Sequence, residues 1–198
     1  MKETDLLLAS NNDHKHAEFT RLFPGVRILR PRDVGLVFDH PEDGDTFLAN
    51  AHGKAGALYE IAHRPVIGDD SGLCVAALGG APGVHSARYG SEGGVKLEAA
   101  ERNALLLSRL AGAADRRAHF VCCLVLVLDA DRFIAVQETV HGEISGAPRG
   151  AHGFGYDPLF LLPDRGMTIA ELPDDEKDLV SHRGRAARRL RAMLEAAG

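Results

Sequence analysis

Pro65-Val66-Ile67-Gly68-Asp69-Asp70-Ser71-Gly72 is the stretch on which the fold reading turns. Its apolar first half has the length and β-branched content of a buried strand, and the acid pair with Ser and Gly predicts that the strand breaks there into a tight turn. Two adjacent carboxylates at a strand end cannot both enter the core, so at least one faces a cleft, where α/β proteins place metal-bound chemistry. An ordinary turn uses the same residue types. The surrounding chain must therefore choose between the two readings.

Working outward, strand and helix alternate. Leu6-Leu7-Leu8-Ala9 predicts a short buried strand, Ser10-Asn11-Asn12-Asp13 a turn, and His14 to Phe23 a helix with Phe19, Leu22 and Phe23 on one face. Val26 to Leu29 and Val34 to Phe38 read as extended pieces. Thr46 to His63 has helical spacing at Phe47, Ala51, Leu58, Ile61 and Ala62. Gly79-Gly80-Ala81-Pro82-Gly83 is a loop, and a helix is expected over Val95 to Leu110. Residues 118–129 and 132–143 read as antiparallel strands joined near Asp129-Ala130-Asp131. Cys122 and Cys123 sit in the first of these, where neighbours face opposite sides. Gly142 to Tyr156 holds five glycines and no apolar period, which marks a functional or disordered loop. Ala186, Ala187, Leu190, Met193, Leu194 and Ala197 form an apolar stripe on a last helix whose arginines face solvent, except Arg183 at its start, which stands apart from the rest.

The 198 residues are 45% hydrophobic, enough for one domain with a real core, with two lobes as an alternative. No apolar run approaches the roughly 18 residues of a membrane span, and the acidic Met1-Lys2-Glu3-Thr4-Asp5 lacks the basic start of a signal peptide. These features, with three cysteines placed as small core residues, predict a cytoplasmic protein. A net charge of −5 argues against nucleic acid as the main partner. The ten histidines form no HExxH and have no CxxC beside them, so zinc has little support. Gly90 to Lys96 does not keep Walker A spacing.

Four constellations can carry chemistry, each with a plainer explanation beside it. Ser10-Asn11-Asn12-Asp13-His14-Lys15 places backbone amides and a cation at a helix start, suited to phosphate, while Asn or Asp there also serves as an N-cap. Pro41-Glu42-Asp43-Gly44-Asp45 can join Asp69 and Asp70 in supplying oxygen ligands to magnesium, or simply complement a helix dipole. Gly153-Phe154-Gly155-Tyr156-Asp157-Pro158 offers close approach and an aromatic face to a flat ligand, or makes a hairpin turn. Ser181-His182-Arg183 brings three polar groups to the start of the last helix, or a capping serine with two neighbours.

Taken together, these blocks resemble the Ham1 family of non-canonical purine nucleoside triphosphate pyrophosphatases, the inosine triphosphatase family. The resemblance rests on Ser10-Asn11-Asn12-x-x-Lys15, Thr46-Phe47 with Asn50-Ala51 and Lys54-Ala55, and Asp69-Asp70-Ser71-Gly72-Leu73. It continues through Gly79-Gly80-Ala81-Pro82-Gly83-Val84-x-Ser86-Ala87-Arg88-Tyr89 and Gly153 to Pro158. Glu176-Lys177 and Ser181-His182-Arg183-Gly184-x-Ala186 complete it. Where the family carries paired glutamates, this chain has Pro41-Glu42, leaving Glu42 as the only acid of that pair. Ala49 likewise stands where members often have glutamate.

The resemblance implies an α/β fold, a mixed, strongly twisted sheet flanked by helices, with two lobes and a central cleft, in a homodimer. It implies hydrolysis of inosine, deoxyinosine and xanthosine triphosphates to monophosphate and pyrophosphate. In that reading Asp70 is catalytic and, with Glu42, holds Mg2+. Ser10, Asn11, Asn12, Asp13, His14, Lys15 and Ser71 bind the phosphates. Phe154, Gly155, Tyr156, Asp157, Lys177, His182 and Arg183 bind the purine. The rivals are a Maf-type pyrophosphatase of other base preference, opposed by the Phe154 to Asp157 and Ser181 to Arg183 blocks, and a catalytically silent nucleotide sensor. Asp69, Asp70 and Lys15 oppose the sensor.

Overall fold

A computed structural model describes residues 4–91, 93 and 95–197; Met1, Lys2 and Glu3 of the N-terminal reading lie outside them. The seven-stranded sheet runs in the order β2-β1-β3-β4-β5-β6-β7. Its strands are β1 (Thr4–Leu8), β2 (Val26–Leu29), β3 (Val66–Val75), β4 (Arg117–Val127), β5 (Phe133–Ile144), β6 (Phe160–Leu162) and β7 (Met167–Thr168). The helices are α1 (Asp13–Leu22), α2 (Phe47–Ala62), α3 (Ala99–Arg109), α4 (Asp174–Val180) and α5 (His182–Ala197). β1 is parallel to β2 and β3, whereas β5, β6 and β7 pair antiparallel, so the sheet is mixed as expected.

The chain sorts into two compact units. The first comprises the residues up to 70, 122–138 and those from 182 onward. Strand alternation builds its two apolar layers. Leu6 and Leu8 join Phe19 and Leu22 of α1 and Ala186, Ala187 and Leu190 of α5, while Leu7 and Ala9 join Ala51, Ala55 and Leu58 of α2. Cys122 falls in one layer and Cys123 in the other, as their adjacency predicts. Met193 at 43% exposure drops out of the predicted α5 stripe, and the Ala197 side chain lies outside the description. The second unit, residues 71–121 and 139–181, packs Leu73, Val75, Leu106, Phe120, Val140 and Phe160 into a core of its own.

Local chemistry sets the helix bounds. Asn12 caps α1 by accepting the Lys15 amide at 3.1 Å, and Thr46 caps α2 by accepting the Ala49 amide at 3.0 Å. His63 ends α2 in a left-handed turn at φ 48°.

Three expectations need correction. β3 does not stop at Gly68 but continues through the acid pair to Val75, because basic side chains from α1, α2 and α5 neutralise the carboxylates. Val34 to Phe38 is not extended strand: a 3-10 turn over Pro31–Val34 leads into irregular chain. α3 begins at Ala99 rather than Val95, where Glu98 and Glu101 close a capping box.

Candidate active site

Because β3 continues through Asp69 and Asp70, the two carboxylates leave opposite faces of the strand and meet different partners. Asp69 lies on the α1 and α5 side, fully buried. Its Oδ1 accepts from Lys15 Nζ at 2.8 Å and its Oδ2 from Arg183 Nε at 2.6 Å. Arg183 Nη1 also donates to Glu18 at 2.6 Å, so the network joins β3 to both helices. Burial alone would raise the Asp69 pKa. Arg183 and Lys15 outweigh it and hold the carboxyl well below its usual range, a poor base despite its place in the motif.

Asp70 faces α2. Its Oδ1 accepts from Lys54 Nζ at 3.1 Å and its Oδ2 from Asn50 Nδ2 at 3.2 Å. Asn50 in turn accepts the Gly44 amide at 2.9 Å, fastening the acidic loop to the same helix. Lys54 also pairs with Glu42 and donates to the Asp69 carbonyl oxygen at 2.8 Å. Burial raises the Asp70 pKa, Lys54 and Lys15 lower it and Glu42 raises it again, the net shift being upward from the ordinary aspartate value. Lys54 is the converse: burial would discharge it, but Asp70 and Glu42 hold it charged with a raised pKa.

Gly68 makes this approach possible. A Cβ there would come within 2.2 Å of the Ala51 carbonyl oxygen, so only glycine lets α2 lie close enough for Asn50 and Lys54 to reach Asp70.

The turn before α1 carries the predicted phosphate group. Ser10 Oγ accepts the Asn12 amide at 3.1 Å, and Asn11 Nδ2 donates to the Phe38 carbonyl at 2.7 Å. Asn11, Asn12, Asp13 and His14 are exposed at the helix start, where backbone amides lack helical partners. Asp13 is taken up by Arg30 at 2.7 Å and by Arg32. Ser71 follows Asp70 in β3, half-buried.

In the second unit, Phe154, Asp157 and Lys177 come together. Lys177 Nζ lies 2.7 Å from Asp157 Oδ2 and 5.0 Å from the centre of the Phe154 ring, and Asp157 Oδ2 also accepts the Phe154 amide at 2.8 Å. Gly153, at φ +72°, permits this knot, since a Cβ there would stand 2.2 Å from Asp157 Oδ2. The Gly155 carbonyl accepts from Asn103 at 3.1 Å. Tyr156 faces the core, its hydroxyl donating to the Ser86 carbonyl at 3.0 Å, so its visible contribution is to anchor the turn. His182 and Arg183 belong to the first unit, both buried, with Arg183 engaged by Asp69 and Glu18 instead of standing ready as a base reader.

The Ham1 family model matches residues 6–193. The chain belongs to the Ham1 family. It is 52% identical over 189 residues to a dITP/XTP pyrophosphatase of Treponema pallidum (strain Nichols), spanning 96% of this chain and 70% of that one. With the dITP/XTP pyrophosphatase of Treponema denticola it is 51% identical over 181 residues, 91% of this chain and 93% of the other. Among solved structures, the Staphylococcus aureus Ham1 protein superposes with a TM-score of 0.87 at 37% identity, over 98% of this chain and all, 100%, of that one.

In this Ham1 protein Asn50 and Lys54 donate to Asp70 and Glu18 accepts from Arg183, roles that the sequence alone does not assign to them. The available sign was two polar residues four apart on the buried face of α2, among Ala51, Ala55 and Leu58, where only a paired group is stable.

Proposed function

We propose that this Ham1 protein is a nucleoside triphosphate pyrophosphohydrolase that converts inosine, deoxyinosine and xanthosine triphosphates to monophosphate and pyrophosphate, clearing non-canonical purines from the nucleotide pool. Relatives at about half identity that are dITP/XTP pyrophosphatases support the substrate class. The observation that carries the chemistry is the contrast within the acid pair: Asp69 is locked by Arg183 and Lys15, while Asp70 has a raised pKa. Asp70 orients and deprotonates the attacking water. The amides from Ser10 to Asp13, with His14, Lys15 and Ser71, hold the triphosphate. Phe154 stacks on the purine, and Gly155, Tyr156, Asp157, Lys177, His182 and Arg183 shape its recognition, Arg183 through its grip on Asp69.

Magnesium is the metal this site suits. The fit rests on the donors present: one ammonium, Lys54 Nζ, already pairs with both Glu42 and Asp70, so a single cation can be shared by the two carboxylates. Two carboxylates are what magnesium takes from a protein when substrate phosphates and water complete its shell. Among the described residues no cluster of three or more His, Cys, Asp or Glu offers an all-protein cage. Bound at Glu42 and Asp70, the metal would neutralise phosphate charge and polarise the scissile bond. We place the enzyme in the cytoplasm as a homodimer; among the described residues no helix is long and apolar enough to cross a membrane.

The test is a pyrophosphate-release assay with magnesium across a panel of triphosphates. Release from the inosine, deoxyinosine and xanthosine nucleotides, with one pyrophosphate per monophosphate, supports the reading. Preference for nucleotides of other bases would favour the Maf-type alternative, and binding without release the silent sensor.

The metal assignment makes its own prediction. Glu42→Gln should raise the magnesium concentration for half-maximal rate, whereas Asp43→Asn, altering an exposed side chain, should do much less. The opposite ranking in a magnesium titration would move the ligand one residue along the loop.

A further inference from the structure

We propose that Lys54 is a built-in counter-cation that keeps free divalent metal off Glu42 and Asp70 until the phosphates of a substrate draw its ammonium away. The inference rests on the reading above that these two carboxylates hold the metal. A lysine ammonium has three donors and no acceptor. Lys54 Nζ meets three oxygens: Glu42 Oε1, Asp70 Oδ1 at 3.1 Å and the Asp69 carbonyl at 2.8 Å. Its hydrogen bonding is therefore saturated by the atoms around the proposed metal site, and at 6% exposure water contributes little.

Asn50 holds the other Asp70 oxygen at 3.2 Å, so the carboxylate is engaged on both sides. A divalent ion entering alone would compete with the ammonium for the same oxygens, and the two cations would then stand a few ångströms apart in a poorly solvated place. A triphosphate changes the balance. Its oxygens accept the ammonium's donors, so Lys54 turns from the carboxylates to the phosphates while the metal takes the vacated lone pairs. Metal and nucleotide then bind with positive coupling, and linkage requires each to tighten the other by the same factor.

Lys54→Met keeps the length of the stem and removes the charge. Manganese binding to nucleotide-free protein, followed by the loss of the free-ion electron paramagnetic resonance signal with magnesium as competitor, reads the effect without turnover. The expected result is weak binding to the unmutated protein and at least about tenfold tighter binding to Lys54→Met, with the tightening by a non-hydrolysable triphosphate analogue correspondingly reduced. Lys54→Gln, neutral yet still a donor, gives the same reading if the methionine variant does not fold. Unchanged or weaker manganese binding in the folded neutral variant would overturn the proposal.

Double variants separate this failure from failure of the metal assignment. If Glu42→Gln or Asp70→Asn abolishes the manganese binding of the Lys54→Met protein, the carboxylates hold the metal whatever Lys54 does. If neither changes it, the metal assignment itself falls, and the counter-cation role with it.

Discussion

Asp70→Asn is expected to lower turnover by about 10² to 10⁴ while leaving the fold standing. The substitution conserves volume and the acceptor facing Lys54, but removes both the charge that helps hold magnesium and the basicity that activates water. The fold survives because Asp70 carries little of the structural ion pairing. Its pKa is raised by burial in spite of Lys54 and Lys15, so its charge is held at a cost, and Lys54 keeps Glu42 as a partner when that charge is gone. Turnover at saturating magnesium, beside a thermal melt, checks both halves. A variant retaining more than half its activity would exclude Asp70 as the base.

Asp69→Asn should have the reverse profile, with stability lost first. Asp69 is fully buried between Lys15 and Arg183, and Arg183 is itself only 2% exposed. Neutralising Asp69 leaves a buried guanidinium with Glu18 as its remaining acid at the junction of α1, β3 and α5. Breaking a buried pair from one side costs about 3 to 5 kcal/mol, and denaturant unfolding of the variant should show a loss of that order. The pH dependence follows from the depressed pKa. The stabilisation by the Asp69 carboxylate is complete above its unfolded pKa and is lost as pH falls through its lower folded value. Acid should therefore narrow the gap between the unmutated protein and the variant only below the ordinary carboxylate range. A variant of unchanged stability at neutral pH would show that the network is not the anchor described.

Much of this was legible in the residues, for identifiable reasons. The unbroken apolar run Leu6 to Ala9 announces a strand buried on both faces, and the structure packs its alternate residues on α1 and α5 or on α2. Thr46 and His63 bound α2 within a residue of the expected helix. The errors arose where long-range chemistry overrode local preference. Asp-Asp-Ser-Gly is a turn by composition, and only partners 15, 54 and 114 residues away in sequence from Asp69 make it a strand. Arg183 was singled out from the arginines of the last helix, but its attachment to Asp69 and Glu18 depends on a packing of α5 that spacing does not reveal. Lys54 looked like a motif letter because nothing local says that a lysine on an apolar helix face has three oxygens waiting for it.

The most direct measurement of the central claim is the ratio of kcat/KM for inosine triphosphate to that for adenosine triphosphate, with pyrophosphate as the detected product. Hypoxanthine presents an acceptor oxygen where adenine presents a donor amine. A lysine ammonium donates only, so Lys177, beside the Phe154 ring, cannot reverse its role for the amine. Buried donors left unpaired by the wrong base cost specificity factors of up to about 10⁴. The inosine nucleotide is expected to be hydrolysed at least about 10²-fold more efficiently. Comparable efficiencies for the two nucleotides in the unmutated protein would contradict it.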